Sequence, residues 1–179
     1  EYKGGRDETP EELKVQFPVA KELLTNMGIK YYEIDNYEAD DIIGTFSKYC
    51  EIDPEYEGLI VSSDKDLLQL ISDEVEIKLL KQKDYIRYNK QTFRDDYGID
   101  PIKVIDLKAL MGDSSDNIPG VKGIGEKTAL KLLQNYDSLD GVYDNLDKLT
   151  PKMREKLETD RDNAYMSYHL ATIIKDVPM

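Results

Sequence analysis

Apolar residues recur every three or four positions between 13 and 27, which predicts an amphipathic helix near the start of the chain. Thr9 and Glu12 have the spacing of a capping box with a proline between them, so we expect the helix to begin there. Gly28 is expected to end it. The next apolar run, residues 29–34, is short and predicts a strand.

The following segment alternates strand and helix patterns. Residues 58–62 form an uninterrupted apolar run, which predicts a buried strand in a parallel sheet. The other predicted elements are a helix at 39–49 with Ile42, Ile43 and Phe46 facing inward, a helix at 66–71, and strands at 74–80 and 84–88 joined by a polar turn. This alternation predicts an α/β fold with a parallel-sheet core.

From residue 91 onward the pattern is helical. We predict helices at 92–97, 101–111, 127–135, 139–146, 151–158 and 163–173. The change of pattern at 98–101 divides the chain into an α/β core, residues 1–98, and an all-helical portion, residues 99–179.

The composition excludes several classes of protein. Of the 179 residues, 40% are hydrophobic and 34% are charged, and there is a single cysteine. These values are those of a globular protein without a disulfide framework or a multi-cysteine zinc site. No apolar run reaches the roughly 18 residues of a membrane span, and no signal peptide opens the chain. We therefore expect a cytoplasmic protein with no membrane partner.

The net charge of −13 is unusual for a nucleic-acid binder, because such proteins generally present a basic face. Either the chain binds no nucleic acid, or its acidic residues are concentrated where cations neutralise them and its basic residues are grouped elsewhere. The segment 120–135 holds Lys122, Lys127 and Lys131 against Glu126 alone, which favours the second explanation.

Three short acidic clusters contain candidate metal ligands. One opens the predicted helix at 39–49, one follows the predicted strand at 58–62, and one follows the predicted helix at 101–111. Sites in α/β sheets form at the carboxyl ends of strands, and carboxylates three apart share a helix face. Oxygen ligands suit Mg²⁺ or Mn²⁺, and a pair of such ions uses many carboxylates and no histidine. The candidates are Glu38, Asp40, Asp41, Asp64, Asp66, Asp113 and Asp116.

Each cluster alone has simpler explanations. Asp and Glu make up 37 of 179 residues, so short clusters arise by chance. Asp64 is suited to cap a helix and Asp40 to complement a helix dipole. The pair of Asp64 and Asp66 is also compatible with a sugar-nucleotide site. The single histidine, His169, lies far along the helical portion, and we expect a structural role for it.

The segment 120–125 combines glycines with alternating apolar positions. Its glycines permit positive φ and close approach of another backbone, and the helix that follows would direct its first amides at an anion. This is the helix-hairpin-helix pattern of sequence-independent DNA binders, which contact phosphates. A tight helix–helix turn is the alternative. The candidate DNA-binding residues are Gly120, Val121, Lys122, Gly123, Ile124, Gly125, Lys127 and Thr128.

Four blocks, residues 2–6, 37–44, 63–67 and 111–129, resemble the 5′-nuclease superfamily, which has a PIN-like fold. The similarity is greatest to the 5′→3′ exonuclease domain of bacterial DNA polymerase I and runs nearly end to end. The resemblance implies a monomeric, structure-selective phosphodiesterase of replication and repair. Such enzymes remove 5′ flaps and RNA primers from duplex DNA with two Mg²⁺ or Mn²⁺ ions.

The resemblance also implies roles for particular residues. It places Glu38, Asp40, Asp41 and Asp64 around a first metal ion, and Asp66, Asp113 and Asp116 around a second. By the same resemblance, the hairpin grips downstream duplex and carries a K⁺ ion on its carbonyls. Lys3 and Arg6 bind the scissile phosphate as catalytic residues, and Tyr2 stacks on a base.

The chain departs from the family pattern at its start. In the family, an N-terminal strand and further segments precede the block at 2–6 and supply two more aspartates. We therefore expect a sheet without its first strand, and either an upstream continuation or an impaired nuclease. A non-catalytic DNA-binding module and a metal-binding protein without nucleic-acid function stay open as alternatives. Residues 173–179 read as the approach to a linker, so we expect a polymerase domain to follow.

Overall fold

The computed structural model describes Lys3 and residues 8–179. Its helices are α1 Glu11–Lys14, α2 Gln16–Asn26, α3 Ala39–Ile52, α4 Lys90–Tyr97, α5 Val104–Met111, α6 Glu126–Tyr136, α7 Leu139–Asp144, α8 Pro151–Thr159 and α9 Arg161–Ala171, and its strands are β1 Gly58–Ser62, β2 Val75–Leu80 and β3 Tyr85–Tyr88. Short 3-10 helices cover Asp66–Leu70, Pro101–Lys103 and Leu146–Lys148. The predicted α/β portion followed by a helical portion is confirmed. Within the described residues, no helix has the length and apolarity to cross a membrane.

The strands form one sheet in the order β1-β2-β3. β1 and β2 are parallel, as predicted, with Gly58 opposite Val75 and Ser62 opposite Leu79. β2 and β3 form an antiparallel hairpin. The alternate residues of β2 are almost fully buried, so the middle strand anchors the sheet to the core.

β1 is an edge strand of the described sheet, and its predicted burial is wrong. Leu59 and Val61 are 51% and 56% exposed, although β1 is as apolar as a central strand. An apolar run indicates that both faces of a strand are suited to burial. Whether both faces are in fact covered depends on segments that are distant in the sequence. Phe46, expected to face inward, is also exposed and contacts Tyr32 edge-on at 4.9 Å between ring centroids.

The N-terminal helical region differs from the prediction in three ways. Helix α1 ends at Lys14 and α2 starts at Gln16, because Pro18 has no N–H to donate to the Lys14 carbonyl. The expected capping box is not formed, since Pro10 is the N-cap residue and no side chain caps the helix. Residues 29–34 form no strand and are largely exposed.

A single core extends from the sheet into the helical portion, with α5 at its centre. Residues 104–110 of α5 are all buried, because α6 and α9 pack against this helix from different sides. Two of these buried residues, Asp106 and Lys108, are charged. Asp106 accepts a hydrogen bond from Leu139 N at 2.7 Å and so stabilises the start of α7. Lys108 points towards the acidic clusters.

The loop after α5 folds back on the end of that helix. Gly112 has a φ of 71° and Gly120 a φ of 58°, both in the left-handed region. A Cβ on Gly120 would lie 2.2 Å from Gly112 N, so the two backbones approach too closely for a side chain. Asp113 and Ile118 exchange main-chain hydrogen bonds of 2.9 and 2.8 Å across the loop. The fold-back brings the third acidic cluster to the sheet.

Candidate metal centre and glycine hairpin

The three acidic clusters converge on Asp66, which follows β1. Asp66 lines a cavity of about 300 Å³ together with Glu38, Asp40, Asp41 and Asp116. It also lines a neighbouring cavity of about 410 Å³ with Asp64 and Asp113. The seven carboxylates predicted as ligands therefore lie around two adjoining cavities, between the start of α3, the end of β1 and the loop after α5.

Asp40 is both partly buried and close to other carboxylates. Burial, followed by the negative charges of Asp64, Asp66 and Glu38, raises the pKa of Asp40 to about 6, and Lys3 opposes this effect. Mutual repulsion of this kind is expected where several carboxylates share a site, and a cation bound among them would relieve it.

Lys108 supplies a buried positive charge on the other side of Asp66. Its Nζ donates to Asp66 Oδ1 and, at 2.7 Å, to Asp113 Oδ2. Although burial disfavours the charged form, these two carboxylates raise the pKa of Lys108 above its usual value. The lysine is therefore held protonated between two predicted ligands.

The two carboxylates beside Lys108 differ in their pKa values. Burial raises the pKa of Asp66 above its usual value, and Lys108 offsets part of that rise. Burial acts in the same direction on Asp113, but hydrogen bonds from Lys108 and Ser115 outweigh it and lower the pKa of Asp113 to about 2. The hydrogen bonds from Ser115, which Asp113 receives and Asp66 does not, contribute to the opposite shifts.

The donor chemistry of this centre fits a hard divalent cation. All seven predicted ligands offer carboxylate oxygens, the donors that Mg²⁺ and Mn²⁺ prefer. In the arrangement described, no group of three His, Cys, Asp or Glu side chains among Lys3 and residues 8–179 is close enough to hold a metal ion. The Lys108 ammonium lies between Asp66 and Asp113, so binding of a cation at this point requires these side chains to shift.

Asp41 and Lys3, both predicted site residues, form hydrogen bonds with main-chain groups. Asp41 accepts hydrogen bonds from Glu38 N at 3.1 Å and from Ile174 N at 2.9 Å, one on each carboxylate oxygen. Lys3 forms an ion pair with Glu38, and its main-chain N–H donates to Asp116 O at 3.0 Å. The other residues predicted near the scissile phosphate, Tyr2 and Arg6, lie outside the described residues.

The glycine hairpin is anchored from within. Its apolar residues Val121 and Ile124 are buried in the core, so their side chains do not face a ligand, whereas Lys122 is exposed. Lys122 N donates to Asp160 Oδ2 at 2.8 Å, and Lys156 Nζ donates to Gly123 O at 2.8 Å.

The residues after the hairpin begin α6, with Gly125 as its N-cap residue. Lys127 is exposed in the first turn of this helix, and Thr128 is half-buried. The lysines at 122 and 127 therefore present positive charge next to the N-terminus of α6, the end of a helix that favours an anion.

Several residues of the centre were not foreseen from the sequence. Lys108 is the clearest, and the signal for it was a pair of charged residues inside the otherwise apolar helix α5. His169, expected to be structural and remote, lines the same cavity as Asp40 and Asp116. Gln69 is 3% exposed, and its Nε2 donates to Asp66 O at 3.0 Å and to Ala171 O at 2.9 Å.

Comparison with known families identifies the class of protein. Residues 1–98 match the N-terminal resolvase-like domain of the 5′-3′ exonucleases, and residues 99–179 match their C-terminal SAM fold. The chain belongs to the 5′-3′ exonuclease family.

Two proteins with similar sequences are bacterial DNA polymerases. The chain is 47% identical to DNA polymerase I of Streptococcus pneumoniae strain R6 over 182 residues, which cover 100% of this chain and 21% of that protein. It is also 47% identical to DNA polymerase I of Bacillus subtilis strain 168, with the same coverage of both chains. The chain thus spans about a fifth of the length of these relatives.

Solved structures confirm the 5′-nuclease fold. T5 5′-exonuclease with bound zinc has a TM-score of 0.74 and 26% identity, and the match covers 95% of this chain and 66% of that one. The catalytic core of Rad2 in complex with DNA substrate has a TM-score of 0.61 over 97% of this chain and 61% of that one. At 19% identity the likeness to Rad2 concerns the fold alone.

Proposed function

We propose that the chain is the nuclease part of a structure-specific 5′→3′ exonuclease and flap endonuclease. It would hydrolyse phosphodiester bonds of flapped or branched DNA and of RNA primers, in replication and repair. The observation that carries the proposal is the convergence of three separate acidic segments on Asp66, close to a hairpin of DNA-binding type. Membership of the 5′-3′ exonuclease family supports it.

Two Mg²⁺ or Mn²⁺ ions would be held by the carboxylates described above. By the family resemblance, Glu38, Asp40 and Asp64, with Asp41 beside them, would serve the first ion, and Asp66, Asp113 and Asp116 the second. In the structure, Asp64 shares a cavity with Asp113, and Asp116 shares one with Glu38 and Asp40, so the two groups adjoin at Asp66. When bound, such ions activate a water molecule and neutralise charge on the phosphate. The solved T5 structure contains divalent zinc, which supports a divalent cation at this centre. It does not distinguish Mg²⁺ from Mn²⁺.

The basic residues near the centre would act on the phosphate itself. Lys3, which is ion-paired with Glu38, would exchange that partner for the scissile phosphate and stabilise the charge that develops there. Arg6 would assist it, and Tyr2 would stack on a base next to the cleaved bond.

The helical portion, 99–179, would grip downstream duplex through its hairpin, and the portion 1–98 would carry most of the metal centre. Lys122, Lys127 and the amides at the start of α6 are the groups available to phosphates. A K⁺ ion on the hairpin carbonyls would have to share Gly123 O with Lys156. We further propose that the protein works in the bacterial cytoplasm as a monomer, covalently linked to a polymerase domain.

The test uses a 5′-labelled flap duplex with Mg²⁺ or with EDTA. Asp113→Ala should reduce cleavage by more than about 100-fold, because even groups that only support metal ligands are worth up to that factor. Its binding to the flap in EDTA should stay within about threefold of wild type. Lys122→Ala should weaken binding and lower the salt slope by about 0.9, the value for one phosphate contact.

Lys83→Ala, in the turn between β2 and β3, is the matched control for Lys122→Ala and should match wild type in both steps. Binding without cleavage by the full protein in Mg²⁺ would contradict the nuclease function. Equal losses of binding and cleavage in both variants would contradict the separate roles of Asp113 and Lys122.

A further inference from the structure

After α9 the chain returns to the metal centre. Residues 173–177, here called the strap, run along helix α3. Ile173 and Val177 are 9% and 3% exposed, so the strap is packed into the fold and not merely laid on its surface. Lys175 adds an ion pair with Glu51 of α3 at 3.6 Å.

Three main-chain N–H groups of the strap donate to buried or half-buried side chains. Each acceptor belongs to the elements that carry the first two acidic clusters. The bonds are Ile173 N to Gln69 Oε1 at 3.0 Å, Ile174 N to Asp41 Oδ1 at 2.9 Å, and Val177 N to Thr45 Oγ1 at 3.0 Å.

Each acceptor is also bonded to the backbone of an acidic cluster. Gln69 Nε2 donates to Asp66 O at 3.0 Å, and Thr45 Oγ1 donates to Asp41 O at 2.8 Å. Asp41 accepts from Glu38 N with its other carboxylate oxygen. Each of these three side chains therefore connects the backbone of the strap to the backbone of an acidic cluster. Asp41 and Thr45 connect it to the start of α3, and Gln69 connects it to the turn after β1.

The contact between the strap and α3 is close enough to require a glycine. A Cβ on Gly44 would lie 2.6 Å from Ile173 Cγ2 and 2.9 Å from Ile174 O. Gly44 is in the middle of α3, where alanine is otherwise the better helix former. Its presence is explained by the approach of the strap.

We infer that the strap is a positioning segment for the metal centre, and that Asp41, Thr45 and Gln69 are positioning residues and not metal ligands. This inference rests on the proposed function. Glu38 and Asp40 start one element and Asp66 starts another, and their oxygens must keep a fixed separation to share cations. The strap bonds to both elements and so fixes that separation. Groups that orient metal ligands typically contribute 10–100-fold to metal affinity.

The experiment measures Mn²⁺ binding to the full chain without DNA, by calorimetry and by the electron paramagnetic resonance signal of free Mn²⁺. Thr45→Val keeps the shape of the side chain but loses both hydrogen bonds, and Gly44→Ala displaces the strap without altering any hydrogen-bonding side chain. Both should raise the Kd for Mn²⁺ about tenfold. Thr45→Ser, which keeps the hydroxyl, and Lys175→Ala, which loses only the surface ion pair, should stay within about twofold.

A second measurement separates positioning from general stability. The Mg²⁺ concentration for half-maximal flap cleavage should rise with the Kd, whereas the rate at saturating Mg²⁺ should return to near the wild-type value. If Thr45→Val and Gly44→Ala lower the unfolding temperature but leave the Kd for Mn²⁺ unchanged, the inference is wrong. If either variant fails to fold, Gln69→Met takes its place in the comparison. Absence of Mn²⁺ binding by the full wild-type protein would instead overturn the proposed function, and the strap inference with it.

Discussion

Replacement of Lys108 by methionine tests the electrostatic balance of the centre directly. Methionine has nearly the same length and removes only the charge and its donors. Lys108 has a side chain that is 8% exposed, and its partners Asp66 and Asp113 are 17% and 20% exposed. The substitution therefore leaves two largely enclosed carboxylates facing each other without a cation.

The cost of removing one partner from a buried ion pair is about 3–5 kcal/mol. Here the remaining carboxylates keep some access to water, so we expect the lower end, about 3 kcal/mol. In a domain of this size, 1 kcal/mol corresponds to roughly 2–4 °C, which predicts a fall in Tm of roughly 6–12 °C. A divalent cation that binds only the folded state would restore part of this loss, because it replaces the missing positive charge.

The assay is thermal and urea unfolding at pH 7, in EDTA and then in Mg²⁺. Lys103→Met is the matched control, since Lys103 pairs at 3.0 Å with Asp137, whose side chain is 85% exposed, and such pairs contribute about 1 kcal/mol or less. Lys108→Met should be clearly less stable than Lys103→Met in EDTA and should gain more than wild type from Mg²⁺. Equal stability of the two variants in EDTA would refute the stabilising role of the buried lysine.

Three further substitutions have effects on stability that follow from the structure. The folded-state pKa of Asp40 is about 6 against an ordinary value of 3.8, so its charge lowers stability as the pH rises through this window. Asp40→Asn should therefore stabilise the cation-free protein by about 1 kcal/mol at pH 7, a value reduced for solvent screening because the site is half-exposed. At pH 3.5 the substitution should have almost no effect. Equal urea unfolding of the variant and wild type at pH 7 would contradict this prediction. Gly120→Ala should lower the free energy of unfolding by more than about 2 kcal/mol, because residue 120 has a positive φ and there is no space for a Cβ. Gly125→Ala should lower it by less than about 1 kcal/mol, because no atom lies within 4 Å of the added Cβ. Similar unfolding midpoints for the two glycine variants would show that the fold-back tolerates a side chain.

The sequence predicted the elements whose signals are local. The helices of the second half were predicted within a few residues, because apolar spacing and glycine or proline ends lie within the helices themselves. The parallel pairing of β1 was predicted from its uninterrupted apolar run and from the alternation of strands and helices around it. Its exposure was not, since Leu59 and Val61 project from one face of the sheet, and whether another element covers that face is not contained in the apolar run itself. Residues 29–34 were wrongly predicted as a strand for a similar reason, because a strand needs a partner that the local pattern does not contain.

Contacts between distant segments account for what the sequence did not predict in the site. Lys108 and Asp66 are 42 residues apart, and Asp41 and Ile174 are 133 apart. A lysine in an apolar helix is visible in the sequence, but its partners depend on the fold-back after α5 and on the packing of that helix against the sheet. The same holds for Gln69, which appears in the sequence as an ordinary polar residue in a short helix.

The environment of each acidic residue, and not its type, determines what it is able to do. Asp40 is partly buried and has other carboxylates around it, so its charged form is disfavoured and a neighbouring cation would stabilise it. Asp113 is held ionised by Lys108 and Ser115, so it offers a permanent negative charge. Asp41 uses both oxygens to hold main-chain N–H groups, which suits it to orient its neighbours. The acidic residues of the candidate metal centre are neutralised locally, by Lys108 and by the cations we propose, while the hairpin keeps its lysines exposed. The net charge of −13 is therefore compatible with a polyanionic substrate.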